Sequence, residues 1–82
     1  MNRYIILLRG INVGGKNIVP MRKLQIFLEE LGCLNVQTYI QSGNVIADSD
    51  LSAAALTQQI EVNLPNFFAL TSTVIKALVL TQ

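Results

Sequence analysis

Tyr4-Ile5-Ile6-Leu7-Leu8, followed without a break by Arg9-Gly10-Ile11-Asn12-Val13-Gly14-Gly15-Lys16-Asn17, decides how the rest of the chain is read. Alternation puts Tyr4, Ile6 and Leu8 on one face of an extended strand and Ile5 and Leu7 on the other. A strand apolar on both faces belongs inside a sheet rather than at its edge. The glycines that follow let the backbone take conformations a Cβ forbids and let another group approach closely. A strand that ends in such a loop carries either a ligand or a tight turn.

Moving outward, Pro20 suits the first turn of a helix, where its missing N–H costs nothing. Leu24, Phe27, Leu28 and Leu31 then recur as one apolar stripe, and Gly32 stops the helix. Val36 to Gln41 alternates as a second strand, with Val36, Thr38 and Ile40 inward. Ser42-Gly43 marks a turn, and Asn44 to Asp48 returns as a third strand in an antiparallel hairpin. Ser49 or Asp50, ahead of Ser52, caps a second helix, with Ala53, Leu56, Ile60 and Leu64 as its stripe and Pro65 as its end. Leu70 to about Lys76 is β-branched and threonine-rich and reads as the fourth strand. Ala77 to Gln82 reads either as its extension or as a new helix.

The order βαββαβ predicts an α+β fold: a ferredoxin-like α/β plait with a four-stranded antiparallel sheet and two helices on one face. Right-handed crossovers give the strand order 4-1-3-2, with the doubly apolar strand in the middle. The 82 residues read as one domain, 1–82.

This topology gathers three loops at one end. Asn44 opens the strand about 5 Å from the first, and Gln41 ends the next, about 10 Å away. Arg9, Gly10, Asn12, Gly14, Gly15, Lys16, Asn17, Gln41, Ser42 and Asn44 therefore form the candidate site, a polar and basic rim. Asp48 and Asp50 fall at the other end. Loop amides with Arg9 and Lys16 suit a small anion or phosphate-bearing ligand. The alternative is a structural turn in which Asn12 and Asn17 bond the loop backbone and Gly43 supplies a positive φ.

Gly10-x4-Gly15-Lys16-Asn17 nearly matches the phosphate-binding GxxxxGK[ST] loop. Asn17 replaces the magnesium-binding hydroxyl, Pro20 starts the helix too late, and the sheet is not parallel, so nucleotide hydrolysis is not expected. No histidine, reactive cysteine or paired carboxylate reaches the rim, so no catalytic residue is assigned. Tyr4, Tyr39, Phe67 and Phe68 are aromatics that stack bases in sheet-surface RNA binders, and nucleic acid is a weaker expectation than core packing for them.

Leu7 to Asn17, then Val19-Pro20-Met21, then Thr38-Tyr39-Ile40-Gln41-Ser42-Gly43-Asn44-Val45 resembles the bacterial family called domain of unknown function 1697. The resemblance extends from Met1 to about Leu64. It implies an α/β plait, a cytoplasmic bacterial protein and no established activity. Members of the family are longer, with a second α+β half, so this chain resembles their N-terminal half. An enzyme active only in the complete protein is a further alternative.

Composition bears on partners. Charged residues are 13% and apolar residues 51%, against roughly 25% charged in a typical soluble domain. A chain this short buries only about 60% of its unfolded surface. With no histidine and one cysteine, Cys33, no metal, cofactor or internal disulfide is expected. No apolar run approaches the roughly 20 residues that cross a membrane, and a cytoplasmic location is expected. Five of the six basic residues lie in the first 23 positions, and all five acids follow them. Either they pair within the chain or they meet an anionic partner. The doubly apolar first strand leaves one sheet face greasy and uncovered, which predicts a homo-oligomer, most simply a dimer. An assembly role is thus the alternative to ligand binding.

Overall fold

The computed structural model describes residues 1–11, 18–39 (39 by its backbone), 44–68 and 76–81. Six elements follow one another: β1 (Asn2–Arg9), α1 (Met21–Glu30), β2 (Leu34–Tyr39), β3 (Asn44–Ser49), α2 (Ala53–Phe67) and β4 (Lys76–Thr81). They form one four-stranded sheet in the order β2-β3-β1-β4. Every neighbouring pair is antiparallel. This is the expected ferredoxin-like plait, with β1 between β3 and β4.

The period of two along β1 settles which face is which. Tyr4, Ile6 and Leu8 are buried and share one core with Val45, Ala47 and Val79 of the flanking strands. Leu24, Phe27 and Leu28 of α1 and Leu56, Ile60 and Leu64 of α2 complete that core. Both helices therefore cover the same sheet face. Burying each large apolar side chain is worth about 1.5–3 kcal/mol, which is what holds a ten-residue helix too short to be stable alone. At the far end of β1 the Tyr4 hydroxyl donates to the Leu51 carbonyl at 2.7 Å, tying the central strand to the turn before α2.

Chain ends of the elements follow local chemistry. Gly32, with φ +92°, terminates α1 as expected. The start of β2 lies at Leu34, two residues earlier than the alternation suggested, with an irregularity between Leu34 and Gln37. Asn35 takes φ +52° there, and its Nδ2 donates to Asp48 at 2.8 Å. Two expectations are corrected. The cap of α2 is Ser52, whose hydroxyl accepts from the Ala55 N–H at 3.1 Å. Ser49 is buried in the last position of β3 and Asp50 pairs with the N-terminal amine, so neither is free to cap. Next, α2 does not end at Pro65 but runs to Phe67. A proline in the last turn forfeits one backbone bond, and the packing of Phe67 and Phe68 on Phe27 offsets it. The stretch after Lys76, open between strand and helix, is decided rather than corrected: β4 occupies Lys76–Thr81. The register fixes it: Ile6 pairs with Val79 and Arg9 with Lys76. The threonine-rich segment 70–75, read as strand from β propensity, lies outside the described residues, as do Ile40 and the 41–43 turn.

Candidate functional site

The glycine loop springs from two buried anchors. Ile11, before it, is 5% exposed, and Val19, after it, is fully buried. Gly10 has φ +92°, so the chain turns directly behind β1 in a conformation that favours glycine. Of the expected rim, Arg9, Gly10 and Asn44 fall within the described residues. Asn12, Gly14, Gly15, Lys16, Asn17, Gln41 and Ser42 lie outside them.

Arg9 and Asn44 are both exposed and lie on the sheet face away from the helices: Asn44 pairs with Leu7, which has the same parity as Arg9. Across the other ladder Arg9 faces Lys76. Like charges side by side on a sheet repel. Among the described residues neither ion pairs with an acid; the ion pairs there are Arg3–Asp48 at 3.4 Å and the Met1 amine–Asp50 at 3.6 Å. The N-terminal excess of positive charge is thus neutralised at the Arg3 end of β1 and not at the Arg9 end.

On the helix side lies a groove of about 590 Å³, lined by Ile18, Pro20, Lys23, Ile26, Phe67 and Phe68. Ile18 is 56%, Ile26 45% and Phe67 42% exposed. Phe67 and Phe68 meet edge to face at 4.9 Å, and Phe27 beneath them is buried. The single charged lining residue, Lys23, stands in the first turn of α1. That turn carries no acid and no side-chain cap, although helix N-termini generally attract acids and side-chain acceptors. Arg22 and Lys23 there are the wrong sign for the helix dipole. Arg22 and Lys23 are functional candidates that no sequence motif marks; Phe67 and Phe68, which the sequence offers as base-stacking aromatics, instead wall this groove on the helix side. Tyr4, by contrast, is a core residue, 1% exposed.

Cys33 is buried, and burial pushes its thiol above the ordinary value of 9.0, against a smaller opposing hydrogen bond from Ser49. It is a core atom, not a nucleophile. Among the described residues no cluster of three or more metal-ligating side chains occurs. No helix there is long and apolar enough to cross a membrane.

The architecture is thus a ferredoxin-like plait whose central strand is followed, further along the chain, by a helix with a basic start. The chain belongs to the family described as "Protein of unknown function (DUF1697)", which it matches over residues 1–81. Among solved structures it is similar to the conserved bacterial protein SP0830 from Streptococcus pneumoniae, with 39% sequence identity and a TM-score of 0.73. That similarity covers 95% of this chain and 43% of the pneumococcal chain, so the 82 residues span less than half the length of that relative. No curated protein matches the sequence.

Proposed function

We propose that the chain binds a small phosphate ester with an apolar or aromatic body in the groove between the start of α1 and the end of α2. The observation that carries this reading is the composition of the groove: one cation, Lys23, at an uncapped helix N-terminus, beside a wall of Phe67, Phe68, Ile18 and Ile26. The first backbone N–H groups of a helix lack intrahelical acceptors, and the dipole favours an anion there. Lys23 and those amides take the phosphate, and the aromatic wall takes the body. A volume of about 590 Å³ suits a small organic ligand. The glycine loop leads into Ile18, which brings Lys16 within two residues of the lining.

Phenyl phosphate is the probe, titrated at low ionic strength and followed by NMR shifts or calorimetry. Binding falls with added salt and falls again in Lys23→Ala and Lys16→Ala. Phe67→Ala removes the preference for phenyl phosphate over inorganic phosphate. No binding of either compound, or binding indifferent to Lys23→Ala and Phe67→Ala, refutes the reading.

A further inference from the structure

The charges of α1 run against its dipole at both ends. Arg22 and Lys23 stand in its first turn and Glu29 and Glu30 in its last, with no acid at the start and no base at the end. Helix ends generally favour the opposite arrangement. Glu29 accepts a hydrogen bond from Gln25 at 3.3 Å. Lys23 and Glu30 form no ion pair among the described residues. Lys23, Ile26, Phe27 and Glu30 recur at i, i+3, i+4 and i+7, so they lie along one stripe of the helix. At a rise of 1.5 Å per residue, the cation and the acid stand about 10 Å apart along its axis.

Each end of that stripe borders a cavity. Lys23 and Ile26 line the groove described above. Phe27 and Glu30 line a second cavity of about 360 Å³, together with Leu31, Asn63 and Asn66. Phe67 is a wall of both, so the two spaces adjoin across one aromatic ring. The second cavity has an apolar floor, with Phe27 buried, and Glu30 is the one charged residue lining it. The Nδ2 of Asn63 donates to the Gln59 carbonyl at 2.9 Å and to its Oε1 at 3.1 Å, which leaves the Asn63 oxygen as an acceptor. A carboxylate and an amide oxygen beside apolar walls suit a positively charged donor.

Resting on the phosphate-ester reading of the groove, we propose that the ligand is zwitterionic. Its phosphate lies at Lys23, its aromatic body along Phe67, and an ammonium group at its far end against Glu30 and Asn63 in the second cavity. Charge complementarity with α1 carries the assignment. The phosphate supplies the negative charge that the helix start lacks, and the ammonium supplies the positive charge that its end lacks. Glu30 therefore selects among phosphate esters, while Lys23 holds the phosphate they share.

The test compares 4-(2-aminoethyl)phenyl phosphate with 4-propylphenyl phosphate, in which a methyl replaces the ammonium, by calorimetry at low ionic strength. The amine binds about tenfold more tightly, as one charge-assisted contact allows. Glu30→Gln abolishes that advantage and leaves the affinity for the propyl compound unchanged. The variant only removes an acid from a helix C-terminus, so the fold survives it. An amine that binds no more tightly than the propyl compound overturns this proposal and leaves the phosphate reading standing. So does an advantage that persists in Glu30→Gln, or an equal loss of both compounds in that variant. Failure of both compounds and of phenyl phosphate to bind overturns the phosphate reading and this proposal together.

Discussion

The carboxylate of Glu61, in the middle of α2, accepts a hydrogen bond from the backbone N–H of Ala77 at 2.9 Å. β4 is an edge strand, and an edge presents unpaired N–H groups to solvent or to another chain. Here the helix that covers the sheet also reaches over and occupies one of them. Glu61 thereby holds β4 at its second residue and joins the last element to the core.

Glu61→Ala is expected to cost roughly 1–2 kcal/mol, the worth of a part-buried hydrogen bond to a charged group. Glu61→Gln, which keeps an oxygen acceptor, costs less than half of that. Urea unfolding gives the stabilities, and amide exchange at Ala77 reports the bond itself. Unchanged exchange at Ala77 in Glu61→Ala would show that another acceptor replaces the carboxylate.

Ser52 is the corresponding device at the start of α2. Its hydroxyl accepts from Ala55 N–H, while Ser49, three residues earlier, accepts from Leu51 N–H inside the turn. Ser52→Ala should lose about 1 kcal/mol, which for a domain this small lowers the melting temperature by about 4–8 °C. Ser52→Gly loses only a few tenths, because glycine also serves at that position. Asp50→Asn leaves the helix untouched, since the exposed carboxylate meets the chain terminus rather than a helix amide. Equal losses at Asp50 and Ser52 would contradict the capping geometry.

The fold was legible where a single physical pattern dominates. Five apolar residues in a row cannot be hidden on one face of a strand, so β1 had to be central, and chain handedness then ordered the other strands. Pro20 and Gly32 framed α1 because each residue is tied to one backbone conformation. For β4 the sequence left Ala77 to Gln82 open between strand and helix, because no local pattern there decides it; the register of Val79 against Ile6 and the Glu61 bond to Ala77 do. Of the candidate rim, the sequence located Arg9 and Asn44 at the correct end of the sheet. It did not reveal that alternation turns both away from the helices. Nor did it mark the groove, since Lys23 and Phe67 are 44 positions apart and meet only through helix packing.

Cys33 closes the turn between α1 and β2 and is 1% exposed. Its backbone N–H donates to the Leu28 carbonyl at 3.0 Å, so the residue is held as firmly as its side chain is covered. Burial disfavours the thiolate, and the thiol is raised above the ordinary 9.0, the Ser49 hydrogen bond opposing this only in part. The unfolded chain therefore gives up this proton at a lower pH than the folded one. Below the ordinary thiol value both states keep it, and the contribution to stability is complete. As pH rises past 9.0 the unfolded state binds fewer protons, and the contribution is lost progressively up to the folded value. Urea midpoints measured from neutral to alkaline pH should thus fall more steeply for the wild type than for Cys33→Ala, with the difference appearing above the ordinary thiol range. Iodoacetamide at neutral pH should label Cys33 only as fast as the protein opens, and urea below the unfolding transition should accelerate the labelling. Prompt labelling of the folded protein, or parallel pH profiles for the two proteins, would place the thiol outside the core.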